Sequence, residues 1–410
     1  MLLDGNEVVT SSLIAKRLVF HIGGYDPVTP NETAFARFSR ELRRFERTWS
    51  VQCSVSSSKS SASDDEAKWN IITNGPNWQV QTEFHLVRWD DVISSFGREP
   101  LWRRLSKGMG AFFSFVSMGA LTGYFRTNWR YGFFFLYPFF VLWAFISGAC
   151  LAGALSAGAS GSIVIGAGVT FGTIALFFLG PWQWLHLAPL FDDWIFSHGY
   201  IHSENPLLRQ RLDNISKVVV EAARLSSANE ILIIGHSLGA VLAIDLLHRA
   251  LKNGGLVDES NSRISFISIG SSVLKIGLHR GADQFRQAAQ RVAHSPGIFW
   301  ADYQARVDVM NFYDTDPMRE MDLETMGKPV VKLVEISQML DRIIYRRIRL
   351  RFFRLHCQFI SGNDRRAAYD YFMLVCGPVS CKCQALAPDG AVKMLDGNGA
   401  LLEIASQKTD

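Results

Sequence analysis

Ile231-Leu-Ile-Ile-Gly-His-Ser-Leu-Gly239 changes character at its midpoint. Its first four residues are apolar and mostly β-branched, as in a buried strand. Its last five, Gly235 to Gly239, immediately precede a run from about Ala240 to Leu251 in which Val241, Leu242, Ile244, Leu246, Leu247 and Leu251 recur at helical spacing. A strand that turns so sharply into a helix holds its middle side chain, Ser237, in a strained and exposed position. The flanking glycines are needed because a Cβ at either place would strike the neighbouring strand or helix.

Outward from this stretch, strand and helix patterns alternate. Arg17–Ile22 reads as a short buried strand that stops at the turn Gly23-Gly24-Tyr25-Asp26-Pro27. Asn31–Trp49 has a helical period, with Phe35, Phe38, Leu42 and Phe45 on one face. Val51–Ser57 and Gln79–Arg88 read as strands, and Ser56–Glu66 as a polar surface loop between hairpin arms. Beyond residue 200, Asn205–Leu225 and Ala282–Val292 read as helices, and Arg263–Ile269, Ile298–Tyr303 and Pro329–Glu335 as strands. This order predicts an α/β fold with a mostly parallel sheet covered by helices on both faces. Asp389–Asp410 reads as a mobile tail.

Composition is uneven along the 410 residues, 48% of them hydrophobic. Tyr131–Phe191 contains no Asp, Glu, Lys or Arg. Tyr131–Leu155 and Ser162–Leu185 each exceed the roughly 20 residues that cross a bilayer. If the segments on both sides share one sheet, the number of crossings is even. Arg103, Arg104, Lys107, Arg126 and Arg130 then place residues 98–130 in the cytoplasm, with an uncharged external turn at Ser156–Gly161. Met109–Phe125 is expected to lie on the interface or dip in and return. Gly148 with Ala152, and Gly168 with Gly172, would let the two spans approach. The expected organisation is a sheet domain from 1–97 and 192–380, a membrane insertion over 98–191 and a tail over 381–410. A net charge of +4, widely dispersed, gives no footprint for nucleic acid. The six cysteines lack disulfide-framework spacing, and no cofactor or metal is expected.

A serine hydroxyl needs an imidazole to take its proton and a carboxylate to orient that imidazole. In a strand-turn-helix arrangement the partners follow the serine in the order acid, then histidine. His248 sits in the helix after the turn, and His279 and His294 precede the strand that should deliver the acid, which leaves His356. Asp308 is the first choice of acid and Asp316 the alternative, with Asp314 also following if the strand lies later; Asp245 and Asp302 read as structural.

Gly235-His-Ser-Leu-Gly239, the Gly23-Gly24 turn after an early strand, Asp308 and His356 together resemble the α/β-hydrolase superfamily, in particular its lipase and esterase branch. The resemblance covers about residues 15–90 and 205–365. It implies a serine hydrolase acting through an acyl-enzyme on Ser237, with an oxyanion held by the backbone N–H of Leu238 and one from Gly24 or Tyr25. His21-Ile-Gly-Gly-Tyr25 departs from the usual His-Gly-Gly-Gly run, and the insertion comes earlier than the usual lid. With the apolar insertion, the expected substrate is a carboxylic ester or thioester of an amphiphile reached from the bilayer, the hydrolase domain facing the cytoplasm. An acyltransferase using the same residues, and a non-catalytic membrane scaffold, are the alternatives.

Overall fold

The computed structural model describes residues 13–24, 31–57, 59–60, 65–254 and 263–402. Its strands are β1 (Lys16–Ile22), β2 (Gln52–Val55), β3 (Lys59–Ser60), β4 (Glu66–Asn74), β5 (Gln79–Val87), β6 (Glu230–His236), β7 (Arg263–Ile269), β8 (Ile298–Ala305) and β9 (Val330–Val334). Among the described residues they form one sheet in the order β2-β4-β5-β1-β6-β7-β8-β9, with β3 paired to β4. From β5 to β9 the neighbours run parallel; β2, β3 and β4 form an antiparallel edge. The α/β architecture with a mostly parallel sheet is therefore as expected. β2 and β4 are the antiparallel arms expected on either side of the serine-rich loop; the sequence reading put no bounds on β4, which carries charged and polar residues among its apolar ones.

β6 is buried along its whole length, which is why it reads as an unbroken apolar run rather than an alternating one. On one face, Val19, Phe84, Leu232, Ile234 and Ile267 pack with Phe38, Phe45 and Trp49 of the helix Asn31–Trp49 and with Phe372. Residues of opposite parity, Phe20, Ile233, Phe266 and Trp300, are buried as well, so both faces are covered. Register pairs Val87, Ile22, Gly235 and Ser268 across β5, β1, β6 and β7. The carboxyl ends of these strands thus form one edge.

The chain divides into two compact units, Met1–Val92 with Asn205–Asp410, and Ile93–Glu204. In the first, Arg211 of the helix Pro206–Leu225 reaches Asp91 at 2.6 and 2.9 Å and Asp65 at 3.0 Å, tying the return of the chain to the residues just after β5. The second unit is helical and runs past Phe191. Its helix Leu187–Ile201 packs on Leu101–Ser117, where Asp192 meets Arg104 in a two-pronged ion pair.

The insertion differs in detail from its sequence reading. Among the described residues one helix, Trp129–Ser160, is long and apolar enough to cross a membrane. Ile163–Leu179 has 17 residues and stops at Gly180-Pro181, where the chain begins a separate short helix, so no single helix spans 162–185. Met109–Phe125 is broken at Gly119, whose φ of 78° separates Leu101–Ser117 from Ala120–Thr127. The close approach of Trp129–Ser160 to Ile163–Leu179 uses Gly153 and Gly166. A Cβ on Gly153 would lie 1.9 Å from Thr170 Oγ1, whereas Gly148, Gly168 and Gly172 face open space.

Residues 381–402 are not a loose tail. Ala391 and Leu395 are buried, Trp78 Nε1 donates to Gly399 O at 2.8 Å, and Arg366 lies over the Trp49 ring while hydrogen-bonding Asp396 O and Gly397 O. The preceding segment is held by Arg17. Wholly buried, it pairs with Glu230 at 2.8 Å and donates to the carbonyls of Val375, Gly377 and Val379. Glu230 in turn accepts from Ser265 Oγ and Cys381 N. A buried charge is tolerable when it is paired and hydrogen-bonded; here each guanidinium nitrogen and both carboxylate oxygens have a partner.

Candidate active site

Ser237 follows β6 with φ of +56°, in the left-handed region that L-residues occupy at a cost of roughly 1 kcal/mol or more. The backbone holds it there. Ser237 N donates to Ile269 O at 2.9 Å, while Ser237 O accepts from Ala240 N and Ser272 N, each at 3.1 Å. The flanking glycines have no room for a side chain: a Cβ on Gly235 would lie 2.4 Å from Ala240 Cα, and one on Gly239 2.1 Å from Ile22 O. The tight turn read from the sequence therefore packs directly on the end of β1, and this packing leaves Ser237 buried rather than exposed as expected.

His356 lies in a short helix, Phe352–Cys357, and is buried. Its Nδ1 is 2.7 Å from Asp308 Oδ2. A carboxylate can only accept, so Nδ1 carries the proton and Nε2 presents a lone pair. Nε2 is buried and has no hydrogen-bond partner. The His356 ring packs at a tilt on His236, the residue before Ser237, with centroids 4.6 Å apart, and His236 Nε2 lies 3.3 Å from His356 O. Burial, reinforced by His356, pushes the pKa of His236 well down, so it sits there as a neutral ring. Gly270 leaves space for this arrangement, since a Cβ there would come within 3.1 Å of His356 Cε1.

Asp308 sits just beyond β8 in a tight turn, its second oxygen accepting from Met310 N at 2.9 Å. Asn311 braces that turn through Ala305 O and Asp308 O. The other carboxylates are engaged elsewhere. Asp316 caps the helix Pro317–Glu320 through Met318 N and Arg319 N. Asp314 occupies a turn position with φ of +57°, and Asp245 pairs with Arg249. Asp302 bonds Ser268 Oγ and Gln304 Nε2, and its pKa is raised by burial.

No known family, curated protein or solved structure matches the chain. Geometry alone must therefore say what this constellation can do.

Gly24 packs against the serine: a Cβ on it would lie 2.8 Å from Ser237 Cβ. Among the described residues neither Gly24 N–H nor Leu238 N–H donates a hydrogen bond. Tyr25, the other expected donor, lies outside the described residues. His21 points into the domain toward Tyr371, its Nδ1 3.2 Å from the phenol oxygen. Two neighbours carried no role in the sequence reading. His236 was quoted only as part of the turn, and Ser272, whose Oγ lies 3.5 Å from Ser237 Oγ, stands just past the end of β7. Their signal is positional, since each follows or ends a strand adjacent in the sheet.

In the helical unit, His198, His202 and Glu204 bring potential metal-ligand atoms within 4.8 Å of one another. Cys376 and Cys381 are buried free thiols, and Cys381 Sγ donates to Leu374 O.

Proposed function

We propose that this chain is a membrane-anchored serine hydrolase cleaving a carboxylic ester or thioester of an amphiphile. The observation that carries the reading is the buried, unpartnered Nε2 of His356, backed by Asp308, with the imidazole packed on His236, the residue before a serine held at positive φ. Ser237 Oγ attacks the acyl carbonyl while His356 Nε2 takes its proton. The N–H groups of Leu238 and Gly24 hold the resulting oxyanion, and the imidazolium then protonates the departing alcohol or thiol. Water, activated by the same imidazole, releases the acid. An acyltransferase differs only in letting another hydroxyl take the acyl group.

The apolar helix Trp129–Ser160, with the exposed Ile163, Val164, Phe171 and Leu179 of the next helix, supports insertion of the helical unit in a bilayer. The basic residues from Arg98 to Arg130 support a cytoplasmic sheet domain. The unit is spliced in just after β5, whose carboxyl end belongs to the sheet edge that carries Ser237. That connectivity favours a substrate drawn from the membrane surface.

A non-catalytic scaffold is the second reading, favoured by the contact of Ser237 Oγ with Ser272 Oγ. Covalent labelling of the full chain in detergent by a fluorophosphonate distinguishes the two. Labelling that disappears in Ser237→Ala and slows in His356→Ala supports the hydrolase. A wild-type chain that takes no label, or a Ser237→Ala chain that keeps it, leaves the scaffold.

A further inference from the structure

Between Arg342 and Arg354 the chain carries six arginines and no acid. All six, Arg342, Arg346, Arg347, Arg349, Arg351 and Arg354, are exposed, and none forms an ion pair among the described residues. Asp341, the nearest acid in sequence, is already engaged by Arg365 at 3.3 Å. Interleaved with the arginines are aliphatic side chains that also face solvent, Ile343 at 66% and Leu350 at 87% exposure. Ile348 and Leu355 are buried and fasten the segment to the sheet domain.

Crowded like charges repel one another unless an opposite charge neutralises them, and exposed Ile and Leu cost free energy in water. A surface that satisfies both must be anionic and apolar just beneath the charge. We infer that Arg342–Arg354 docks on the anionic headgroups of a lipid bilayer, with Ile343 and Leu350 entering the acyl boundary. Nucleic acid would meet the charge and find rings to stack on in the half-buried Tyr345, Phe352 and Phe353, but it would leave Ile343 and Leu350 in water. The docking is independent of whether Ser237 is a nucleophile. It would also bring the bilayer to the segment that runs directly into the helix carrying His356.

The test is hydrogen–deuterium exchange of the full chain in nanodiscs of phosphatidylcholine alone, or with about a third phosphatidylserine. Amides of 342–354 should exchange at least roughly tenfold more slowly only in the anionic discs. Arg346→Glu with Arg347→Glu, or high salt, should abolish the protection. Equal exchange in both lipids, or protection that survives charge reversal, overturns the inference. A chain that does not insert is instead mixed with vesicles of the same two compositions and floated. Association with anionic vesicles alone then supports docking even though anchoring has failed, and equal or no association refutes it. Protection by a single-stranded oligonucleotide but not by anionic lipid would reassign the surface to nucleic acid.

Discussion

His356 Nδ1 lies 2.7 Å from Asp308 Oδ2, and both side chains are almost completely withdrawn from solvent. The carboxylate fixes the tautomer that leaves Nε2 basic and would balance the charge of an imidazolium. Asp308→Asn keeps the volume but loses both effects, so fluorophosphonate labelling of Ser237 should slow by roughly 10²- to 10⁴-fold. Asp316→Ala should leave that rate nearly unchanged while costing about 1 kcal/mol of stability through the lost helix cap. Equal slowing in the two variants would remove Asp308 from the role.

Gly24 tests the serine from the other side. A methyl group on it would sit 2.8 Å from Ser237 Cβ, and both atoms are bonded directly to the backbone. Gly24→Ala should therefore displace Ser237 or the Gly23-Gly24 turn, lowering the labelling rate at least about tenfold, with overpacking costing about 1–3 kcal/mol. Denaturant melts separate the two effects, and a variant labelled at the wild-type rate would show that the contact has slack.

The buried Arg17–Glu230 pair fastens the segment 375–381 to the sheet. Removing either charge alone strands the other, at a cost of about 3–5 kcal/mol. Arg17→Met should also open the C-terminal residues to limited proteolysis before the rest of the domain. If cleavage elsewhere comes first, the carbonyls of Gly377 and Val379 depend less on Arg17 than their hydrogen bonds imply.

Stability should respond to pH through two buried groups of opposite sign. Burial lowers the His21 pKa to about 4, whereas the unfolded chain protonates this histidine near 6.5. Between those values the unfolded state binds more protons, so this contribution declines as pH falls. Burial raises the Asp370 pKa to about 6, above its unfolded value near 3.9, so the folded state binds more protons and this contribution grows as pH falls from about 6 to 4. His236, also held neutral, acts in the same direction as His21. Asp370→Asn should therefore steepen acid destabilisation and His21→Gln should lessen it, each by at most about 1.4 kcal/mol per pH unit. Urea melts at several pH values measure this, and parallel curves for all three chains would contradict it.

The local features of this protein are written in consecutive residues. Gly235 and Gly239 announced the turn because the space they lack is within a few residues of Ser237, or at the end of the strand beside it. The apolar run Ile231–Ile234, the helical period of Asn31–Trp49 and the charge-free block after Arg130 likewise depend only on neighbours along the chain. What tertiary structure alone decided are pairings between distant segments. Asp308 and Asp316 look alike in sequence, but one closes on a histidine 48 residues away while the other caps its own helix. Residues 381–402 read as unattached because partners of that region, Ser50, Asn77 and Trp78, lie more than 300 residues earlier. Gly153 and Gly166 could not be told from Gly148 and Gly168 until two helices were rotated face to face. Spacing along a chain encodes period and turn; which side chain meets which across a fold depends on loop closure and packing that no short stretch contains.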